Sequence, residues 1–295
     1  MARYSEDTLI HYTKPPSETE GTKLANAERM VKEAINDDEI LKKMTTQVFG
    51  QGSYANDTNV RINSDIDINV RLMDIFYFDL PEGKDRSAYG LNNPQEYTFA
   101  EYKNSVENAL VKKFGRADVT RNDKCITVEG NSYRVETDVV PTFDYRRYSV
   151  SGSYVEGAKF KTDGGNYVVN FPIQHIENAK TKNYSTQKRF KRLTRIYRRI
   201  RYNMMDDGVL ISNKITSFLL ECLVWNVPNP ILNQNYTWTN RLKNSIVYLY
   251  ENTSEFEKCK EWGEVSELLY LFYGRKWTDS DVNDYLVQMW NYLDY

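Results

Sequence analysis

GQGSYANDTNVRINSDIDINVRL, residues 50–72, joins a Gly52-Ser53 pair to two aspartates, Asp65 and Asp67. From Ser64 to Leu72 acids alternate with Ile and Val, the period of a half-buried strand, so Asp65 and Asp67 share one face and Ile66 and Ile68 the other. Carboxylates that close repel, which raises the pKa of one of them unless a strong positive charge lies between. A divalent cation is the simplest such charge, and an oxygen-only ligand set suits Mg2+ or Mn2+ rather than zinc. Upstream, Gly52 lets backbone N–H groups approach an anion closely and Ser53 adds a hydroxyl donor, so the pair reads as a phosphate cradle. Cradle and metal carboxylates together describe a nucleoside triphosphate site. The competing reading of the two aspartates is a solvated strand edge.

With 295 residues, 40% hydrophobic and 27% charged, the chain has apolar material for one large domain or two smaller ones. A formal net charge of −2 excludes a surface built throughout for polyanions, so any attraction to them is local. Cys125, Cys222 and Cys259, with His11 and His175, are scattered without CxxC or HxxxH spacing, which excludes a conventional structural zinc site and a disulfide scaffold. The N-terminus has no apolar signal core, and the longest apolar stretch, Phe218 to Trp225, is interrupted by Glu221 and too short to span a bilayer. A reduced, cytoplasmic protein with no membrane partner is expected.

Residues 1–21, polar with Pro15-Pro16, read as an N-terminal arm or short leading element. Thr22 to Lys43 carry Leu24, Ala27, Met30, Val31, Ala34 and Ile35 at helical spacing. Strand patterns follow at Val48 to Phe49, Asp65 to Leu72, Lys124 to Glu129 and Ser132 to Val140, the last two separated by Gly130-Asn131, a hairpin signal. Pro94 to Phe114 reads as a helix, and helical spacing recurs over 183–204, 211–225, 238–252, 264–273 and 279–293. The fold class is therefore α+β. An α/β core with a mixed β-sheet and a leading helix occupies 22–180, and a helical C-terminal domain occupies 181–295.

Phosphoryl transfer between two metal ions needs a third carboxylate, and SYRVETDVVPTF offers it. Glu136 and Asp138 share a face by period two, and Asp138, followed by Val139-Val140-Pro141, is placed near the end of its strand, within reach of Asp65 and Asp67. The alternative role for Asp138 is a turn cap. Lys182 to Arg201 then holds nine Lys or Arg and no acid. Phe190, Leu193, Ile196, Tyr197 and Ile200 form its buried stripe, leaving Lys188, Arg192, Arg195 and Arg199 on one flank and Arg198 on another. That helix reads as a phosphate-binding face, as a solvated face, or as partner to the C-terminal 45 residues, where ten acids face four bases. His175 reads as a packed, hydrogen-bonded residue rather than a catalyst. Asn170, before Phe171-Pro172, is either a turn residue or an amide able to read a base edge with donor and acceptor.

These residues together resemble the DNA polymerase β-like nucleotidyltransferases, whose signature is a Gly-Ser turn, a DxD strand and a later strand with a third aspartate. Within that superfamily the chain is similar to the bacterial cGAS/DncV-like nucleotidyltransferases, clade E-like, which make cyclic oligonucleotides in anti-phage signalling. The resemblance rests on GQGSY (Gly50 to Tyr54), Thr58, DIDINV (Asp65 to Val70), ETDVVPTF (Glu136 to Phe143), NFPIQHIEN (Asn170 to Asn178), KNYSTQKRFKRLTRI and SFLLECLVWNVP (Ser217 to Pro228). It implies a polymerase β-like core with the active-site cleft between core and helical domain. It also implies two Mg2+ held by Asp65, Asp67 and Asp138, with Asp138 nearest the attacking 3′-hydroxyl.

By the same resemblance Ser53 and Ser217 contact the triphosphate, within a nucleotide-binding set of Gln51, Gly52, Ser53, Asn170, Lys188, Arg195, Arg198 and Ser217. Where the family often has a lysine in a VRILK-like helix, TRIYR places Arg198, which pairs with phosphate bidentately and with a different reach. An asparagine at Asn170 favours pyrimidine bases by similarity to one clade. Implied partners are NTP substrates and a downstream effector reached through the cyclic product, with no double-stranded DNA activator and a monomeric enzyme. Two other functions stay open: transfer of a nucleotide to a protein, tRNA or small molecule, and a catalytically idle nucleotide-binding module.

Overall fold

Ile66, Ile68, Val70 and Leu72 are buried, as alternation requires, while Asp67, Asn69 and Arg71 take the other face of the same strand. The protein, seen here as a computed structural model, is described over residues 2–60, 66–91, 97–234 and 236–295, excluding the side chains of 18–20. Asp65 lies outside the described residues, as do Pro94 to Glu96 of the expected 94–114 helix.

Two compact units divide the chain. One is Ser17–Tyr54 with Ile62–Ile173; the other is Met1–Pro16, Ala55–Arg61 and Gln174–Tyr295. This differs from boundaries after 21 and 180. Within the expected arm or short leading element, Glu6–Tyr12 form helix α1, whose Leu9 lies in the core of the helical unit.

In the α/β unit, helix α2 (Glu18–Asn36) leads into strand β1 (Thr46–Gln51), the single-turn helix α3 (Gly52–Ala55) and strand β2 (Ile66–Asp79). Helix α4 (Phe99–Phe114) follows, begun by a Thr98–Glu101 capping box. Then come β3 (Val119–Arg121), β4 (Ile126–Val128), β5 (Thr137–Tyr148), β6 (Tyr154–Lys161) and β7 (Tyr167–Asn170). The sheet is mixed, as expected: its order is β1-β2-β5-β4-β3, with β6 joining β5 to β7, and β2 and β5 run parallel. Leu24, Ala27, Val31 and Ile35 of α2 and Tyr102, Val106 and Leu110 of α4 pack on the apolar face that carries Ile66, Ile68 and Val139. The aspartates are left on the opposite face.

The expected hairpin is present, but its strands end earlier. The segment 129–136 is a loop, turned by Asn131, whose Oδ1 accepts from the N–H groups of Tyr133 and Arg134. β5 runs far beyond Pro141, so Asp138 stands near the start of its strand rather than the end. Proline is accommodated because β2 occupies one edge of β5, while on the other β4 pairs Thr137 to Val139 and β6 begins only at Phe143. Pro141 falls in the gap, where no neighbouring strand lacks its N–H.

The helical unit holds α1, α5 (Pro172–Ser185), α6 (Arg189–Asp206), α7 (Ser217–Asn226), α8 (Asn229–Gln234), α9 (Trp238–Thr253), α10 (Phe256–Cys259) and α11 (Asp279–Tyr292). Its core combines Phe190, Leu193, Ile196, Tyr197 and Ile200 of α6 with Leu219, Leu223, Leu242, Ile246, Leu286 and Met289. Two helical expectations fail. The 183–204 helix is broken at Gln187 and Lys188, both at positive φ, and 264–273 forms no helix but turns back in a bridge between Gly263 and Tyr270.

Candidate active site

Parallel pairing sets Asp67 directly beside Asp138, and antiparallel pairing sets Gln51 opposite Asp67 and Thr127 opposite Asp138. Four neighbouring strands thus present Gln51, Asp67, Asp138 and Thr127 as one row. Gly52 closes over it at φ +64°, where a Cβ would overlap Asp67 Oδ2 and stand 3.1 Å from its Cγ. The Gly-Ser turn and the second DxD aspartate are therefore in contact. Ser53 follows Gly52 as the second residue of α3.

A polar ladder continues along the same face. Thr142 Oγ1 donates to Asn69 Oδ1 (2.7 Å) and Asn69 Nδ2 donates to Gln51 Oε1 (3.1 Å). On Asp138, Oδ1 accepts from Thr127 Oγ1, and Asn122 Nδ2 donates to Thr127 Oγ1 at 2.8 Å. Cys125 lies alongside, its thiol pushed up to about 11 by burial and by the Asp138 charge.

Among the described residues no three His, Cys, Asp or Glu side chains gather into a metal-binding group, and Asp65, the remaining expected ligand, falls outside them. The donors present still fit a hard cation. Asp67 and Asp138 offer carboxylate oxygens in register, an oxygen donor set that suits Mg2+ or Mn2+.

Asn170 ends β7, paired with Ala158, and its side chain is exposed. Phe171, buried against the Tyr145 ring and under the Arg147 guanidinium, pins the chain just after it.

In the helical unit the expected phosphate contacts divide. Lys188 is exposed at the α5–α6 break, and Ser217 is the first residue of α7, capped by Thr216, with its hydroxyl 3.3 Å from that of Tyr202. Arg195 and Arg198 are 4% and 3% exposed, and both have internal partners. Arg195 donates to Thr13 O and Asp57 O, each at 2.7 Å, and lies 2.8 Å from Asp57 Oδ1. Arg198 donates to Thr58 O (3.0 Å) and Glu221 Oε2 (2.6 Å). Thr58 Oγ1 also donates to Glu221, and His175 Nε2 stands 3.3 Å from Glu221 Oε1, a packed histidine as expected. Burial raises the Glu221 carboxyl, but His175, Arg198 and Thr58 together outweigh burial and hold it below the usual range. Arg195 and Arg198 of the basic helix thus grip Asp57 and Thr58, and Arg195 also holds the N-terminal segment at Thr13. Period 3.6 predicted its apolar stripe but not these partners.

A sheet of this order with in-register aspartates under a Gly-Ser turn defines a polymerase β-like nucleotidyltransferase. Residues 177–294 match the cGAS/DncV-like nucleotidyltransferase C-terminal helical domain. The chain is 64% identical over 296 residues, 100% of both proteins, to the cyclic dipyrimidine nucleotide synthase CdnE of Cecembia lonarensis. It superposes at TM-score 0.83 and 35% identity, over 99% of this chain and 100% of the other, on Elizabethkingia meningoseptica CdnE cyclic dinucleotide synthase with GTP and Apcpp. With the Rhodothermus marinus CdnE c-UMP-AMP synthase the TM-score is 0.85 at 26% identity, covering 97% and 95%. The chain belongs to the cGAS/DncV-like nucleotidyltransferases. It is an enzyme, a nucleotidyltransferase of the cyclic dinucleotide synthase kind, and its substrates are NTPs. No helix of the described residues is long and apolar enough to cross a membrane.

Proposed function

We propose that this enzyme joins two NTPs, at least one a pyrimidine nucleotide, into a cyclic dinucleotide that acts on a downstream effector. The observation that carries the reading is the in-register pair Asp67 and Asp138 under Gly52, in a chain 64% identical to a cyclic dipyrimidine synthase. Two Mg2+ held by Asp65, Asp67 and Asp138 would supply the positive charge that a triphosphate and an attacking 3′-hydroxyl both need. Ser53 and the backbone beside Gly52 donate to the triphosphate. Asp138 Oδ2, its other oxygen already engaged by Thr127, takes the proton of the 3′-hydroxyl as the O3′–Pα bond forms and pyrophosphate leaves. A second round closes the ring. Asn170, exposed and pinned by Phe171, reads a pyrimidine edge through its amide.

Mass spectrometry of phosphatase-treated product from all four NTPs with magnesium tests this directly. A pyrimidine-containing cyclic dinucleotide is expected, and neither D67N nor D138N should form it. A purely purine product sinks the base assignment; wild-type turnover by D138N sinks the carboxylate assignment.

A further inference from the structure

From the geometry on the far side of Asp138 we infer that Thr127, oriented by Asn122, is a positioning residue for the metal-binding carboxylate. Thr127 and Asp138 are direct partners across the β4–β5 ladder, so the backbone register itself holds hydroxyl and carboxylate together. The direction of the bonds follows from their chemistry. An ionised carboxylate only accepts, so the single Thr127 proton goes to Asp138 Oδ1, and the hydroxyl lone pair is left to accept from an Asn122 Nδ2–H.

Thr127 is 8% exposed, so water is a poor substitute for either partner, and its β-branch restricts χ1. Asn122 is anchored from behind: its N–H bonds Cys125 O at 2.9 Å, and its own carbonyl accepts from Lys103 Nζ at 2.6 Å. Lys103, on α4, is buried and also bonds Asp163 (2.9 Å). A relay from α4 through Asn122 and Thr127 therefore sets the plane of the Asp138 carboxylate. Threonine at this position does what carboxylates and carbonyls do behind metal-binding histidines, which is to orient the ligand from outside.

This inference rests on the assignment of Asp138 as a metal ligand, and the experiment separates the two. Mn2+ affinity is measured by electron paramagnetic resonance with a nonhydrolysable NTP, on wild type, T127V, T127S, N122A and D138N. In parallel, the Mg2+ concentration giving half-maximal rate is recorded. T127V should bind Mn2+ about tenfold more weakly, with the Mg2+ requirement raised in step and T127S close to wild type. N122A, altered at an exposed side chain, should move the same way by less, which covers the case of T127V failing to fold. Wild-type Mn2+ affinity and Mg2+ requirement in T127V, or in N122A if T127V is unfolded, overturn the role of Thr127 while a D138N that has lost the metal leaves the ligand assignment standing. A D138N that binds Mn2+ like wild type overturns both.

Discussion

Gly52 carries two constraints at once: its φ of +64° disfavours any L side chain, and a Cβ there would occupy the space of Asp67 Oδ2. Gly83 shares only the first, at φ +73° with nothing within 4 Å of a Cβ. G52A and G83A should therefore lose comparable stability, about 1–2 kcal/mol, by chemical denaturation. Only G52A should also lose turnover, about 100-fold, because a Cβ there displaces the Asp67 carboxylate proposed to hold the metal. Equal activity in the two variants would mean that the contact with Asp67 has no catalytic weight. Gly52, Asp67 and Asp138 were legible in the chain because turn chemistry and period-two alternation are local. Thr127 was not, since its facing of Asp138 depends on where the loop at 129–136 ends, and a Gly130-Asn131 turn suggests a tighter hairpin.

On the scale of elements, what holds Thr58 in place is the α6–α7 pair. Arg198 and Glu221 meet at 2.6 Å, each under 5% exposed, with Thr58 bonded to both. Deleting one member strands the other charge in the interior, whereas deleting both removes the need for compensation. E221L should cost about 3–5 kcal/mol, and R198M/E221L should be more stable than E221L alone, a coupling read by a double-mutant denaturation cycle. A double variant no better than the single one would show that the pair is not a unit. Sequence periodicity revealed α6 as a helix with the right stripe, but a basic face looks the same whether it awaits phosphate or grips a neighbouring loop. The 264–273 stretch failed for a related reason. A short apolar run fits helix and turn alike, and here Glu264 N–H to Leu269 O (2.9 Å) and Leu271 N–H to Trp262 O (2.7 Å) make a turn.

For the whole molecule, the chain's two ends meet inside the helical unit. Arg3 N–H bonds Leu293 O at 3.0 Å, Tyr4 and Tyr292 hydroxyls lie 2.9 Å apart, and Glu6 caps α9 by accepting from Trp238 N–H (2.6 Å) and Thr239 N–H (2.9 Å). Residues at opposite ends of the sequence thus complete one core, which a reading by consecutive domains does not anticipate. Burial raises the Glu6 carboxyl, but the two backbone bonds, the Thr239 hydroxyl and Arg241 outweigh it, so its folded pKa lies below the ordinary 4.5. A depressed folded pKa gives stability that is present in full above the unfolded value and is lost as pH falls through the folded one. E6Q keeps an acceptor but loses the charge at the α9 N-terminus, so it should be less stable than wild type at neutral pH by about 1 kcal/mol. As acid protonates Glu6 in the wild type, the two denaturation midpoints should converge, beginning near pH 4.5 and finishing below the depressed folded value. A gap that stays constant through that window would show that the clasp between the chain ends owes nothing to the Glu6 charge.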